Sequence, residues 1–485
     1  MSLAVARLLV FGTSAVVLVL EILAGRLMAP YLGVTLETFT GVIGVVLAGI
    51  ALGAWAGGIS ADRVDPARLL GPLLVAGGAS ALASPAIVDA IGPTLGGDGP
   101  LQIIWLTSVA FLVPSILLSA VPPIVIKLRL RSIEETGTVV GSFSALGTIG
   151  ALVGTFVTGF ILIAAAPSRP VVIAIGIGTV AAGIVALART RRWQAVAGSV
   201  AAVLVAAIAL AVVPGPCDEE TKYYCVSVRA DDTRPSGRVL VLDTLRHSYV
   251  DLDDPTHLEF RYTKLMADAV ATLPPGPLDA LYLGGGGFTL PVHLREVRPG
   301  STADVLEIDP DLIELAADEF GVEFDDGLTA EAGDARLALP SRADGAYDVV
   351  LGDAFGSLSV PWHLTTVEFV SELRRVLAPG GLYVVNLIDY PPADFARAET
   401  ATLLEVFDDV AVVAPADYLA GERGGNFIVV AAVDGTIDRA ALAAAIETRG
   451  DDEVVTDPAA TLEFAGDARP LVDDFAPVDQ LLSRP

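Results

Sequence analysis

A chain of 485 residues that is 53% hydrophobic and only 18% charged, with a mean hydropathy of +0.63, is too long for one domain and too apolar for an ordinary water-soluble protein. Its net charge of −28 is unevenly shared: residues 1–215 hold 11 Lys/Arg against 8 Asp/Glu, a net of +3, which leaves 19 against 50, a net of −31, for residues 216–485. A second half that acidic repels nucleic acid and anionic headgroups alike, which weighs against DNA or RNA as a partner.

The first half reads as a transmembrane helical domain, 1–215. Apolar runs of about 20 residues, enough to cross a ~30 Å hydrocarbon core, fall near 8–25, 37–57, 69–91, 103–126, 139–165, 170–188 and 193–213, so seven spans are expected. The first run follows Arg7, lacks a small-residue cleavage site and leads into further spans. It therefore reads as a helix of a multi-pass protein of the cell membrane and not as a secretory signal. Gly49, Gly53 and Gly57 recur every fourth residue, as do Gly150 and Gly154, a spacing that lets helix backbones approach closely and that reads as packing. Glu21, followed by Arg26, near the end of the first run has two readings of equal weight, a functional ionisable group at membrane depth and an interfacial group that snorkels or pairs.

Short loops place Arg7, Arg63, Arg68, Lys127, Arg129, Arg131, Arg189, Arg191 and Arg192 on one side and only Arg26 and Arg169 on the other. The excess of positive charge assigns the first side, with the N-terminus, to the cytoplasm. Seven spans then put the soluble domain outside. The two cysteines, Cys217 and Cys225, sit just past the last run and are expected to form a disulfide there. In the competing topology the fourth run, broken by Pro114, Pro122 and Pro123, re-enters the membrane and the side is reversed.

Residues 216–255 read as a linker and β-hairpin segment, and 256–485 as an α/β domain in which β-rich runs alternate with helical patterns. Many Asp/Glu with few Lys suit a solvated surface adapted to high salt, where self-repulsion is screened; a field that attracts polycations is the competing account. From Leu278 the run LDALYLGGGG is a strand ending in Gly284, Gly285, Gly286 and Gly287, followed by a helical stretch. Such a turn brings backbone close to a ligand. ADVLEIDPDLIELAADEF then places Glu307 and Asp309 at the end of a second strand, about 20 residues on, where an acid can accept hydrogen bonds from ribose hydroxyls. A third strand ends in AGDARLAL, a fourth, YDVVLGDAF, ends in Asp353, and a fifth, GGLYVVNL, follows a helix over 365–377. These side chains all lie at carboxyl ends of strands, where open α/β sheets bind ligands.

The series GGGG, LEID, GDA and GDAF on successive strands resembles the S-adenosylmethionine-dependent transferases and, among them, the spermidine synthase (polyamine biosynthesis) family, over about Val239 to Asn386 and weakly in LVDDFAPVD near the C-terminus. With EILAGRLMAPYLG and GGISADR in the first half, the whole chain resembles multi-pass membrane proteins fused to a spermidine synthase-like domain. The resemblance implies a doubly wound, methyltransferase-like α/β fold, commonly dimeric, with no metal. It implies that Glu307 holds the nucleoside ribose, that Asp334 and Ala335 contact the adenine, and that the glycine loop approaches the nucleoside. Asp353 matches the catalytic aspartate, Tyr262 the tyrosine of a Tyr-His-Glu segment, Asp243 the acid of a Leu-Asp-Gly turn, and His247 a nucleoside-binding Gln. The implied reaction is displacement at the propyl carbon of decarboxylated S-adenosylmethionine by an amine. That amine's ordinary pKa near ~10 requires an acid that aligns it and takes its proton.

Three departures remove negative charge. Gly287 stands where the family's glycine loop has an Asp, Thr263 and Lys264 replace the His and Glu after the tyrosine, and Gly356 replaces the second acid of the loop after the fourth strand. Each buried ammonium needs a paired anion, so these changes, and a cation expected at Lys264, oppose a diamine acceptor. The four histidines, His247, His257, His293 and His363, are too scattered for a metal site. His257 and His363 read as capping or solvent-facing, and His363 reaching the pocket mouth is the alternative. Three functions follow: a membrane-anchored aminopropyl transferase, an S-adenosylmethionine-dependent methyltransferase on the same fold, and a non-catalytic nucleoside-binding or transport-coupled membrane protein.

Overall fold

The computed structural model describes all residues except 34–35, 96–98, 131, 190–214, 357 and 484–485. The chain divides into two compact units, Met1–Ser227 and Val228–Pro485.

In the first unit, six helical segments among the described residues are long and apolar enough to cross a membrane: α1 (Leu3–Leu32), α2 (Leu36–Arg63), α3 (Pro66–Thr94), α4 (Pro100–Arg129), α5 (Thr136–Ala165) and α6 (Ser168–Ala188). The seventh expected run, 193–213, lies outside the described residues. α4 does not turn back at its prolines; it runs helical through Pro114, Pro122 and Pro123, with a π turn at Ser108–Leu112 and one turn residue, Ala120. The glycine spacings are contact faces. A Cβ on Gly49 would lie 2.6 Å from Ser115 Cβ, and one on Gly57 would lie 2.5 Å from the Ala120 carbonyl, both in α4. Gly150 and Gly154 meet Phe11 and Ala15 of α1 in the same way. A stripe of small residues thus allows backbone-to-backbone packing.

Polar groups collect at the two ends of this bundle. At one end Lys127 donates to Asp62 (2.8 Å) and Arg129 to the carbonyl of Met1 (3.3 Å). At the other, Arg169 pairs with Asp89, which also accepts from the Tyr31 hydroxyl (3.2 Å). There Arg26 donates to the carbonyls of Thr221 (2.6 Å) and Lys222 and faces Glu220 (3.6 Å), while Glu220 accepts from the Ser168 N–H (2.9 Å). Arg26 is thus paired. Glu21 Oε2 is buried without a hydrogen-bond partner among the described residues. Cys217 and Cys225 form a disulfide, across which β1 (Glu219–Glu220) pairs antiparallel with the start of β2 (Cys225–Ala230), a strand that runs over the division between the units.

The second unit opens with a hairpin, β3 (Gly237–Leu242) and β4 (Leu245–Asp251), followed by α7 (Arg261–Ala271). Strands and helices then alternate: β5 (Asp279–Leu283), α8 (Thr289–Val297), β6 (Thr302–Glu307), α9 (Pro310–Phe320), β7 (Leu328–Ala332), β8 (Tyr347–Gly352), α10 (Val367–Val376), β9 (Leu377–Asp389) and α11 (Asp394–Val406). β10 (Asp409–Pro415), β11 (Gly425–Ala432) and β12 (Glu453–Val455) complete an eight-stranded sheet of order β12-β10-β11-β9-β8-β5-β6-β7. β7, β6, β5, β8 and β9 are parallel, and β11, β10 and β12 add an antiparallel edge. The near-continuous apolar strands follow from helices covering both faces; Leu281, Val349, Val350 and Val384 are each fully buried. Local signals set the helix ends. Asp309 accepts from the Asp311 N–H ahead of Pro310, and Gly321 in the left-handed region closes α9. Strand order reverses between β5 and β8, so the carboxyl ends of these two strands frame a crevice.

Candidate active site

Gly284 follows β5 and Asp353 follows β8, two strands in register at Leu283 and Gly352. Gly284 has a φ of +92°, and a Cβ there would lie 2.6 Å from the Asp353 carbonyl oxygen. Only glycine allows this approach. The Asp353 carboxylate is held from two sides: Oδ2 accepts from the Tyr262 hydroxyl (3.1 Å) and Oδ1 from Asn386 Nδ2 (2.9 Å). Asn386, 2% exposed on β9, in turn accepts from Asn426 Nδ2 of β11 (2.8 Å). Burial raises the Asp353 carboxyl to about 6, against the lowering effect of its two hydrogen bonds, and pushes the Tyr262 phenol well above its ordinary value, which the neighbouring carboxylate reinforces.

These groups line a pocket of about 300 Å³ together with His247, Arg246, Phe355 and Ile388. The backbone carbonyl of His247 lies 3.3 Å from the Tyr262 hydroxyl, and burial lowers its imidazole to about 4, so the ring is neutral at pH 7. Asp243 sits in the two-residue turn between β3 and β4 with a φ of +53°, a conformation Asp tolerates better than most residues. The turn carries it just before Leu245, which lines the pocket.

Glu307 ends β6 and is 5% exposed. One carboxylate oxygen accepts from the N–H groups of Gly285 (2.7 Å) and Gly286 (3.2 Å), and the other from Asp309 N–H (3.0 Å). A carboxylate has about four acceptor positions, so the arrangement locks the glycine loop against the strand end and leaves about one position for a ligand hydroxyl. Asp334 caps the one-turn helix Ala335–Ala338 with one oxygen, accepting from Arg336 N–H (2.8 Å). Its other oxygen meets His363 Nε2 at 3.0 Å. The sequence favoured a solvent-facing or capping His363; the structure ties it to Asp334. Ala335 is buried beside it. Gly284, Gly285, Tyr262, Asp353 and His247 are thus brought together, with Glu307 bonded to the same loop, whereas Asp334 and Ala335 stand one strand further out, after β7.

Lys264 does not carry its charge into this pocket, which corrects the sequence-based expectation. An α-helix turns about 100° per residue, so a side chain two places after Tyr262 leaves on another face. Lys264 lines a different cavity, walled by α7 and α8. Gly287 is explained by packing: a Cβ there would lie 2.8 Å from Ser248 Cβ and 2.9 Å from Val250 Cγ2, and its N–H donates to Ser248 Oγ (3.0 Å). β4 fills the space an Asp would need.

Sequence reasoning missed Asn386, Asn426, Ser248 and Glu259. Asn386 was signalled by a lone polar residue ending the apolar run LYVVNL. Glu259 lines a small void with Tyr262, Gly284, Gly285 and Asp353, which adds a second acid near the site. Among the described residues no group of three or more His, Cys, Asp or Glu is placed to hold a metal ion.

No family model matches the chain. It is 28% identical over 218 residues to a polyamine aminopropyltransferase of Vibrio vulnificus, an alignment covering 43% of this chain and 71% of that protein. It is 30% identical over 123 residues to a human eEF1A lysine and N-terminal methyltransferase, covering 23% of this chain but only 18% of that one. Among solved structures, a probable spermidine synthase from Corynebacterium glutamicum is 28% identical and superposes with a TM-score of 0.50 over 55% of this chain and 98% of its own. The C-terminal part of the chain has the α/β fold shared by spermidine synthases and methyltransferases, and it is a spermidine synthase-like domain.

Proposed function

We propose that the unit Val228–Pro485 is a transferase that uses a nucleoside sulfonium, and that its reaction is aminopropyl transfer from decarboxylated S-adenosylmethionine to an amine. The observation that carries this reading is Asp353, held by Tyr262 and Asn386 at the sheet's switch point with a carboxyl near 6. In this reading the glycine loop and Glu307 hold the ribose and Asp334 and Ala335 meet the adenine. His247 and Asp243 border the nucleoside from the hairpin. Asp353 aligns the acceptor's ammonium and takes a proton from it. The freed nitrogen lone pair attacks the propyl carbon beside sulfur, the N–C bond forms as the C–S bond breaks, and methylthioadenosine leaves. A base near 6 is ionised at neutral pH yet able to receive a proton. With Lys264 outside the pocket and Glu259 beside it, the electrostatic objection to a cationic acceptor is smaller than the sequence suggested.

The kinship with lysine and N-terminal methyltransferases supports a second reading, methyl transfer from S-adenosylmethionine on the same fold. In both, α1–α6 anchor the domain in a membrane. The disulfide Cys217–Cys225, at the bundle end opposite Lys127 and Arg129, supports an exterior location for that segment. The deciding experiment measures binding of S-adenosylmethionine, its decarboxylated form and methylthioadenosine to the full-length protein in detergent and high salt. Preference for the decarboxylated form, weakened in Glu307→Ala, supports aminopropyl transfer. Preference for S-adenosylmethionine moves the assignment to methyl transfer, and binding of none by folded protein refutes both and leaves a non-catalytic, transport-coupled role.

A further inference from the structure

A cavity lined by α7 and α8 contains none of the residues assigned above to the transfer reaction. Its volume is about 450 Å³, within the range of small-molecule pockets, and Leu258, Leu290, Leu294 and Val297 give it apolar walls. Four charged side chains and His293 reach it, and all but one are already engaged. Asp268 pairs with Arg449, which also meets Asp451 (2.7 Å). Arg298 donates to the carbonyls of Val270 (3.0 Å), Leu273 (3.0 Å) and Pro274 (2.7 Å). His293 Nδ1 meets the Thr256 carbonyl (3.1 Å), and burial holds its imidazole below the ordinary value. Lys264 remains: among the described residues its ammonium has no ion-pair or hydrogen-bond partner.

The one carboxylate in the cavity, Asp268, is taken by Arg449, so the Lys264 ammonium is one half of an interaction. A lysine's methylene stem suits apolar walls while its head presents a donor. Arg298 also has no carboxylate partner, but its donors are taken by carbonyls; the free donors of one ammonium suit one carboxylate, and a second negative charge would face Asp268. We propose that this cavity binds an apolar monocarboxylate, its carboxylate on Lys264 and its hydrocarbon against Leu258, Leu290 and Leu294. The inference is independent of the reaction assigned to Asp353.

The test is photolabelling of the full-length protein in nanodiscs with a diazirine-bearing alkyl carboxylate of six to eight carbons, followed by peptide mapping, with the matching alkyl amine as the opposite-charge probe. The carboxylate should label peptides within 258–271 and 290–298, octanoate should compete, and Lys264→Gln should reduce labelling roughly tenfold or more, the loss expected for one charge-assisted hydrogen bond. Lys264→Arg, which keeps the charge, should retain it and shows that the loss is not misfolding. Equal labelling of these peptides by the amine, unchanged labelling in Lys264→Gln, or labelling confined to residues 1–188 would overturn the proposal.

Discussion

Replacing Asp353 by Asn keeps the shape of the side chain and removes its charge. Burial raises the Asp353 carboxyl from 3.8 to about 6. A carboxyl whose pKa is higher in the folded state destabilises the fold once both states are ionised, by about 1.4 kcal/mol per pKa unit, or about 3 kcal/mol at pH 7.5. Well below pH 3.8 both states are protonated and the penalty disappears; at pH 4 it is about 0.5 kcal/mol, and it grows as the pH rises through 6 and is constant above. Asp353→Asn should therefore abolish turnover while raising stability at pH 7.5 by about 1–3 kcal/mol, the lower figure allowing for less favourable hydrogen bonding to Asn386 and Tyr262. At roughly 2–4 °C per kcal/mol for a unit of this size, Tm rises by about 2–12 °C. Scanning calorimetry of the full-length protein in detergent, at pH 7.5 and pH 4, reads this directly, and at pH 4 the gain should shrink below about 2 °C. A drop in Tm at pH 7.5, or a gain equal at both pH values, would show that the carboxylate is not a desolvated charge and would refute the reasoning.

The same logic governs the rate. Wild-type turnover should rise with pH through about 6 and then level off, and Asn386→Ala, by removing a hydrogen bond that lowers the Asp353 carboxyl, should move that rise upward by about 1 pH unit; an unmoved profile would detach Asn386 from the site. Gly287→Asp should not restore a family-like pocket but should destabilise the unit by about 1–3 kcal/mol through overlap with Ser248 and Val250, and an unchanged Tm would show that β4 yields easily. Alkylation of the unreduced, denatured protein should leave Cys217 and Cys225 unmodified in mass spectrometry; adducts at both would remove the support for an exterior segment.

Much of the architecture is written in local pattern. Apolar runs of spanning length mark α1–α6 because length and hydropathy alone set what a bilayer accepts. The alternation of β-rich runs and helices, the glycines after β5, and Glu307 and Asp353 at strand ends are visible because strand, turn and helix signals act within a few residues. Partners distant in sequence are not visible in this way. Tyr262 meets Asp353 across 91 residues, Asn426 reaches Asn386 across 40, and Arg26 finds Lys222 across 196. Which face of α7 carries Lys264, and that β4 occupies the space beside Gly287, depend on how elements stack and not on their composition. Residue type and spacing thus suffice for the fold and for the acids at its strand ends. The carboxyl near 6, the asparagine relay behind it and the cation in a second cavity exist only once packing has excluded water and brought those side chains together.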